Sequence, residues 1–196
     1  MKKNILQTLT KEEQKLLEVK SLKKGEVLFR EGQLCSHISF VVSGAVKISS
    51  AHYSGDELIF NVLESGDIFG NNLIFSDSPY YKGDVIMIKD SILVLIKKEN
   101  LETILQSNKE FLLTYLNKQS NFGKKLNSTI KMLSFTSAEE RFKFYLKENH
   151  NEINYRTITE LADFMHLQRE TLSRLLTKLE KENVIKRSPH KIVKLD

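Results

Sequence analysis

Arg169, Glu170 and Arg174 are the residues of this 196-residue chain whose types and spacing carry the clearest chemistry. A guanidinium is a planar fork that donates two hydrogen bonds at once, a match for O6 and N7 of guanine, and a carboxylate accepts from the cytosine amino group. A negative side chain facing a phosphate-lined groove is repelled unless it reads a base, which makes Glu170 the informative member. On an isolated helix Glu170 and Arg174, four apart, would be only a solvated pair of small energetic weight. The surrounding pattern decides between these readings.

Those residues sit in Ile158–Leu179, ITELADFMHLQRETLSRLLTKL. Leu161, Phe164 and Met165, then Leu167, then Leu172, Leu175, Leu176 and Leu179 repeat at helical spacing, with a break near His166–Gln168. Thr157 and Glu160 have the spacing of a capping box for the first helix, and small Ala162 lets a second helix cross closely. Gln168, Arg169, Glu170, Ser173 and Arg174 open the second helix away from its leucines. This is a helix-turn-helix pattern, whose second helix enters the DNA major groove by its N-terminal end. The following NVIKRSPHKIVKLD predicts a two-stranded wing turning at Ser188–Pro189. Candidate phosphate contacts are Thr157, Thr159, Gln168, Thr171, Ser173 and Lys178 on the helices, with Lys186, Arg187, His190 and Lys191 on the wing.

The segment Leu167–Leu176, LQRETLSRLL, resembles the recognition helix of the CRP/FNR family of bacterial transcription regulators. The family's base-reading arginine, glutamate and second arginine fall on Arg169, Glu170 and Arg174. The similarity runs back to about Asn108 and forward through the end, and Lys24–Leu63 with Gly66–Phe75 resembles the family's sensor barrel. One departure is His166, where the family often has glycine, and histidine tolerates left-handed backbone angles better than most residues. The resemblance implies an α+β chain: a double-stranded β-helix (jelly roll) over 1–107, a dimerisation helix and hinge over 108–135, and a winged helix-turn-helix over 136–196. It implies a homodimer reading an inverted repeat with TGTGA-like half-sites, and RNA polymerase as a partner if the protein activates.

Composition bounds the rest. Forty per cent hydrophobic and 28% charged residues are globular values. No apolar run is long enough for a membrane span, and the lysines near Met1 are not followed by a signal-peptide core, so a cytoplasmic protein without a membrane partner is expected. The single cysteine, Cys35, excludes an intrachain disulfide and a four-cysteine iron–sulfur cluster held by one chain. The net charge is +5, yet residues 137–196 carry 12 Lys+Arg against 10 Asp+Glu, a net of +2, so charge alone leaves nucleic acid undecided. Pairing two chains on one duplex doubles the basic groups presented.

Upstream, Thr10 and Glu13 predict a capped helix reaching about Leu17. From Leu22 the runs Val27–Arg30, Ile38–Val42, Ala45–Ser49, Leu58–Val62, Val85–Ile88 and Ile92–Ile96 alternate with glycines, and HYSGDEL around Gly55 reads as a hairpin turn. Short strands at that spacing predict an antiparallel sandwich or barrel. In nucleotide-binding relatives a glycine–glutamate pair holds the ribose, and an arginine–serine pair about ten residues on holds the cyclic phosphate. Here Gly70 stands but Asn71 replaces the glutamate, Tyr81 falls at the arginine position and Lys82 follows it. Lys82 offers a point charge, not a bidentate clamp. The helix hydroxyls that would touch the base fall on Leu126 and Asn127. These departures argue against a cyclic nucleotide, and the effector is unidentified. Phe60, Leu63, Phe69, Leu73, Phe75, Tyr80, Tyr81 and Leu126 are candidates either to line a more apolar pocket or simply to fill the barrel.

No cofactor, metal site or catalytic residue is expected. Cys35 and His37 would share a face if both lay on a strand, but His37, His52, His150, His166 and His190 have no metal-ligand spacing. The competing reading, a metal- or ligand-dependent cupin-like barrel enzyme with an accessory helical domain, needs two histidines spaced HxH and a glutamate that the sequence lacks. A protein–protein adaptor would have no use for Arg169, Glu170 and Arg174 together.

Asn108–Leu133 reads as one long helix. Leu112, Leu116, Gln119, Gly123, Leu126, Ile130 and Leu133 alternate by four and three, the spacing of a coiled-coil seam. A second stripe, Phe111, Tyr115, Phe122 and Thr129, suits packing on the chain's own barrel. Gly123 costs about 1 kcal/mol in a helix interior, which either backbone approach or a bend would justify. Ser137 with Glu140 predicts a fresh helix start after a hinge at Phe135–Ser137, and that helix packs through Phe142, Tyr145 and Leu146.

Overall fold

A computed structural model describes residues 5–51 and 57–195, so His52 and the turn expected around Gly55 lie outside the described residues. The chain divides into two compact units, Met1–Ser120 and Asn121–Asp196.

The first unit carries two four-stranded antiparallel sheets. One is ordered β1 (Leu17–Leu22), β8 (Ser91–Lys97), β3 (His37–Ser43), β6 (Ile68–Phe69). The other is ordered β2 (Val27–Phe29), β7 (Asp84–Met87), β4 (Ala45–Ala51), β5 (Glu57–Glu64). The six predicted runs are all strands. β1 begins where a helix was expected to end: the capping box of Thr10 and Glu13 forms, but its helix α1 covers only Lys11–Gln14. Leu17, Val19 and Ser21 pair instead with Ile96, Val94 and Ile92 of β8, and that ladder outweighs local helix propensity.

Ile38, Val46, Val85, Leu93 and Ile96 are fully buried between the sheets, joined by Leu101 and Ile104 of α2 (Lys98–Ser107). On the edge strand β5, Ile48 pairs with Asn61 but Ser49 with Ile59, a bulge that leaves Phe60 without an opposite residue. Gly70 has φ 79°, and a Cβ there would stand 2.6 Å from the His37 carbonyl oxygen, so only glycine fits.

The long helix α3 spans Lys109–Ser134, and Asn108 caps it through Oδ1, which accepts from Phe111 N at 2.9 Å. Phe111 and Tyr115 are buried in the first core and Met132 in the second. Phe122, expected on the barrel-facing stripe with them, is exposed.

The second unit packs α4 (Ala138–Glu148), α5 (Ile158–Phe164) and α6 (Arg169–Lys181) against a three-stranded antiparallel sheet ordered β10 (Ile185–Ser188), β11 (Lys191–Lys194), β9 (Glu152–Asn154). The predicted two-stranded wing thus has a third strand, Ile153 pairing with Ile192. Phe142, Leu161, Ala162, Leu172, Leu176, Leu179 and Ile192 form the core. Leu176 is fully buried. Leu176→Ala should therefore cost about 2–5 kcal/mol of stability, read as faster hydrogen exchange in α5, α6 and the wing and a lower urea midpoint.

Candidate nucleic-acid interface

The turn between α5 and α6 sets where Arg169, Glu170 and Arg174 stand. Thr157 Oγ1 accepts from Glu160 N at 3.0 Å, but the expected capping box is only half made, because the Glu160 carboxylate is held by Arg156 Nε at 3.1 Å. At the other end Leu167 N donates to Ala162 O at 2.9 Å and His166 N to Asp163 O at 3.0 Å, a Schellman closure with His166 at φ 50°. The left-handed residue expected there is present. Gln168 is the N-cap of α6 without a side-chain cap bond.

Four leucines, Leu172, Leu175, Leu176 and Leu179, point one face of α6 into the core. At 100° per residue the opposite face carries Glu170, Arg174, Thr177 and Lys181, all exposed. Thr177 and Lys181 escaped the sequence reading, although their spacing of three and seven from Arg174 continues its stripe. An open groove along this face is lined by Ser173, Arg174, Thr177, Lys178, Lys181 and Glu182. Arg169 and Glu170 are exposed with their charges 3.9 Å apart, a separation that leaves both available to another partner.

The candidate phosphate contacts fall into two groups. Thr159, Gln168, Thr171, Ser173 and Lys186 are exposed, and among the described residues Lys186 and Arg174 make no ion pair. The others are already engaged. Arg187 is clamped on Glu180 at 2.5 and 2.7 Å, Lys191 pairs with Glu152 at 2.9 Å, and His190 Nδ1 donates to Arg156 O at 2.8 Å. Lys178 holds Glu139 Oε2 at 2.8 Å, while Lys143 holds Oε1 at 2.6 Å. Two ammonium groups on one carboxylate pull Glu139 from 4.5 to about 2.

Two residues of the expected effector site, Asn71 and Tyr81, are engaged by neighbours within the first unit. Asn71 is buried; its carbonyl accepts from Gln119 Nε2 at 2.8 Å and Tyr115 Oη at 3.2 Å, and its amide donates to Gln119 Oε1. Gln119, expected on the seam, therefore turns its side chain to Asn71. Tyr81 is buried and stacks on Phe29 with ring centres 4.6 Å apart and planes at 13°. Burial, with the neighbouring Cys35, raises its phenol far above the ordinary range. Phe69 is buried and Leu73 packs against the core, whereas Phe60, Phe75, Tyr80, Lys82, Leu126 and Asn127 are exposed. Cys35 lies before β3 rather than on it, and its thiol reaches the carbonyls of His37 at 3.4 Å and Gly70 at 3.7 Å. Burial raises the thiol's pKa, the opposite of what a reactive thiol needs. No cluster of metal-binding side chains occurs among the described residues.

Two antiparallel sheets with the start of a long helix in the first unit, and a winged helix-turn-helix with an exposed face on α6 in the second, make up the fold to be compared with known proteins. Residues 19–108 match the cyclic nucleotide-binding domain and residues 148–191 the MarR family. The chain is 24% identical over 177 residues to the anaerobic regulatory protein of Bacillus subtilis, covering 85% of this chain and 74% of that one. It is 24% identical over 173 residues to the cyclic AMP receptor protein of Thermus thermophilus, covering 85% and 78%. A CooA mutant from Carboxydothermus hydrogenoformans shares the fold with a TM-score of 0.75 at 19% identity, over 100% of this chain and 93% of that one. The chain is similar to transcription regulators of the CRP/FNR type through a cyclic nucleotide-binding match in its first unit and relatives that cover most of its length. These relatives are regulators and not enzymes, which removes the barrel-enzyme reading. No helix among the described residues is long and apolar enough to cross a membrane.

Glu139 also sets a pH response. Its folded-state pKa lies below the unfolded one, so the unfolded chain binds more protons between them; this stability is complete above about 4.5 and lost as pH falls toward about 2. Glu139→Gln should flatten the thermal midpoint's dependence on pH in that window.

Proposed function

We propose that this chain is a homodimeric, sequence-specific transcription regulator that reads inverted TGTGA-like half-sites through Arg169, Glu170 and Arg174. The observation that carries the reading is the exposed face of α6, where Glu170 and Arg174 stand opposite a fully buried leucine face with Arg169 beside them. Thr159, Gln168, Thr171, Ser173 and Lys186 are free to meet phosphates; Arg187, Lys178, Lys191 and His190 must first exchange their present partners, and Thr157 contributes by capping α5. Two copies with recognition helices about 34–36 Å apart would span adjacent major-groove turns.

The second copy is supported by α3. Leu116, Leu126, Ile130 and Leu133 are 49, 49, 59 and 37% exposed on one helix face, and Leu112 lies partly buried in line with them. Apolar side chains in that number at coiled-coil spacing call for a partner helix, and an identical one satisfies the spacing by symmetry. A Cβ at Gly123 would meet no atom within 4 Å of its own chain, so the chain's own packing does not require glycine there. Division into a sensor barrel over 1–107, a dimerisation helix and hinge over 108–135 and a DNA-binding domain over 136–196 follows from these roles.

Cyclic AMP is not the proposed effector. The Asn71–Gln119–Tyr115 bonds and the Phe29–Tyr81 stack occupy the places where a carboxylate and a guanidinium would hold the nucleotide. Any other effector acts only by binding two arrangements of the domains with different affinity. The protein works in the cytoplasm, where an activating role would bring it to RNA polymerase.

Arg169→Ala and Arg174→Ala should each lose about 1–3 kcal/mol of preference for guanine, whereas Lys186→Ala should weaken all duplexes alike and lessen the salt dependence. Gel shifts on an inverted TGTGA repeat and on random duplex, at two salt concentrations, check both. Calorimetry should detect no micromolar cyclic AMP binding. Gly123→Ala should raise the thermal midpoint if the glycine serves a bend, and weaken dimerisation in sedimentation equilibrium if two backbones meet there.

A further inference from the structure

Arg141, on α4, directs its guanidinium to main-chain carbonyls outside α6. Its Nε donates to Phe135 O at 2.8 Å, and its Nη1 donates to Met165 O at 3.4 Å and His166 O at 3.3 Å. Phe135 directly follows the C-terminus of α3, and Met165 is the C-cap of α5. Helix C-termini carry partial negative charge and carbonyls without intrahelical partners. The Schellman closure between α5 and α6 uses the carbonyls of Ala162 and Asp163 and leaves those of Met165 and His166 to find other donors. One half-buried guanidinium thus serves two helix ends that the fold brings to the same place.

We propose that Arg141 is a positioning residue for DNA reading: it fixes the backbone of the helix-turn-helix turn to the end of the long helix, and so sets the angle at which Arg169, three residues after His166, leaves the protein. The proposal rests on the DNA-reading role of α6. The fork is what matters. A guanidinium spans carbonyls on two separate segments in one rigid plane, whereas an ammonium on a flexible stem satisfies them only as a point charge. The Phe135 ring packs on Phe144 with centres 5.4 Å apart, so the linker is held by a second contact and Arg141 need not supply its attachment alone. Rotation at the end of α3 is then passed to the recognition turn as a rigid displacement, the kind of small shift that a packed element transmits rather than absorbs.

The test compares wild type, Arg141→Ala and Arg141→Lys on an inverted TGTGA repeat and on random duplex, with segment-resolved hydrogen exchange. Arg141→Ala is expected to reduce affinity for the repeat on the order of tenfold, leaving random-duplex affinity and the salt slope unchanged. Exchange should quicken at the His166 and Leu167 amides. Arg141→Lys is expected to keep the thermal midpoint near wild type while discrimination stays reduced; it carries the test alone if Arg141→Ala does not fold. Full discrimination by Arg141→Lys, or equal discrimination by all three proteins, overturns the proposal. If wild type itself fails to discriminate, the reading of α6 fails instead, which is a separate result.

Discussion

A helix with apolar residues around most of its circumference cannot stand in water, and α3 is such a helix. Phe111 and Tyr115 at its beginning enter the barrel core, and Met132 near its end enters the winged-helix core. Leu116, Leu126 and Ile130 stay exposed between and beside them. Burying a side chain of that size is worth about 1.5–3 kcal/mol, so the uncovered face is a strong drive toward a partner. The same helix therefore supplies residues to each core and leaves an uncovered apolar face, on which the proposed pairing with a second copy rests. Each role depends on which residue faces which way.

The polar groups near the start of α3 bond within the barrel's own unit. The buried Asn71 side chain donates to Gln119 Oε1 and its main-chain carbonyl accepts from Tyr115 Oη and Gln119 Nε2, and a buried amide without such partners would be costly. Tyr81 fills space beside Phe29 where a charged arginine would need an anion to neutralise it. The effector, if the barrel receives one, has to exchange favourably with these contacts.

At the other end, charge is deployed in two ways. The wing cations sit in ion pairs with Glu180 and Glu152, which fix its shape, while Arg174 and Lys186 are left without ion partners among the described residues. Exposed pairs of this kind contribute little to stability because water screens them, so they can be exchanged for phosphates at small cost. The weak net charge of this region is thus compatible with the proposed reading role of α6, which relies on a few well-placed groups rather than on bulk attraction.

Periodicity by itself determined the helix-turn-helix, the long helix and six barrel strands, because each has an apolar pattern strong enough to act locally. It also put Arg169, Glu170 and Arg174 on the exposed side of α6, since leucines at helical spacing leave only certain residues outside. It missed α2, and also β1, β6 and β9, which are short or whose form depends on pairing with distant segments: Leu17–Leu22 is a strand because β8 is beside it. Tertiary structure alone decided that Gln119 turns to Asn71 instead of the seam, that Phe122 stays outside, and that Arg187 is spent on Glu180. Thr177 and Lys181 were within reach of the spacing argument. The role of Arg141 was not, because its three acceptors belong to chain segments 6, 24 and 25 residues away that only folding brings together. Local pattern fixes which face of an element is wet; which partner a polar group finds depends on contacts that sequence separation hides.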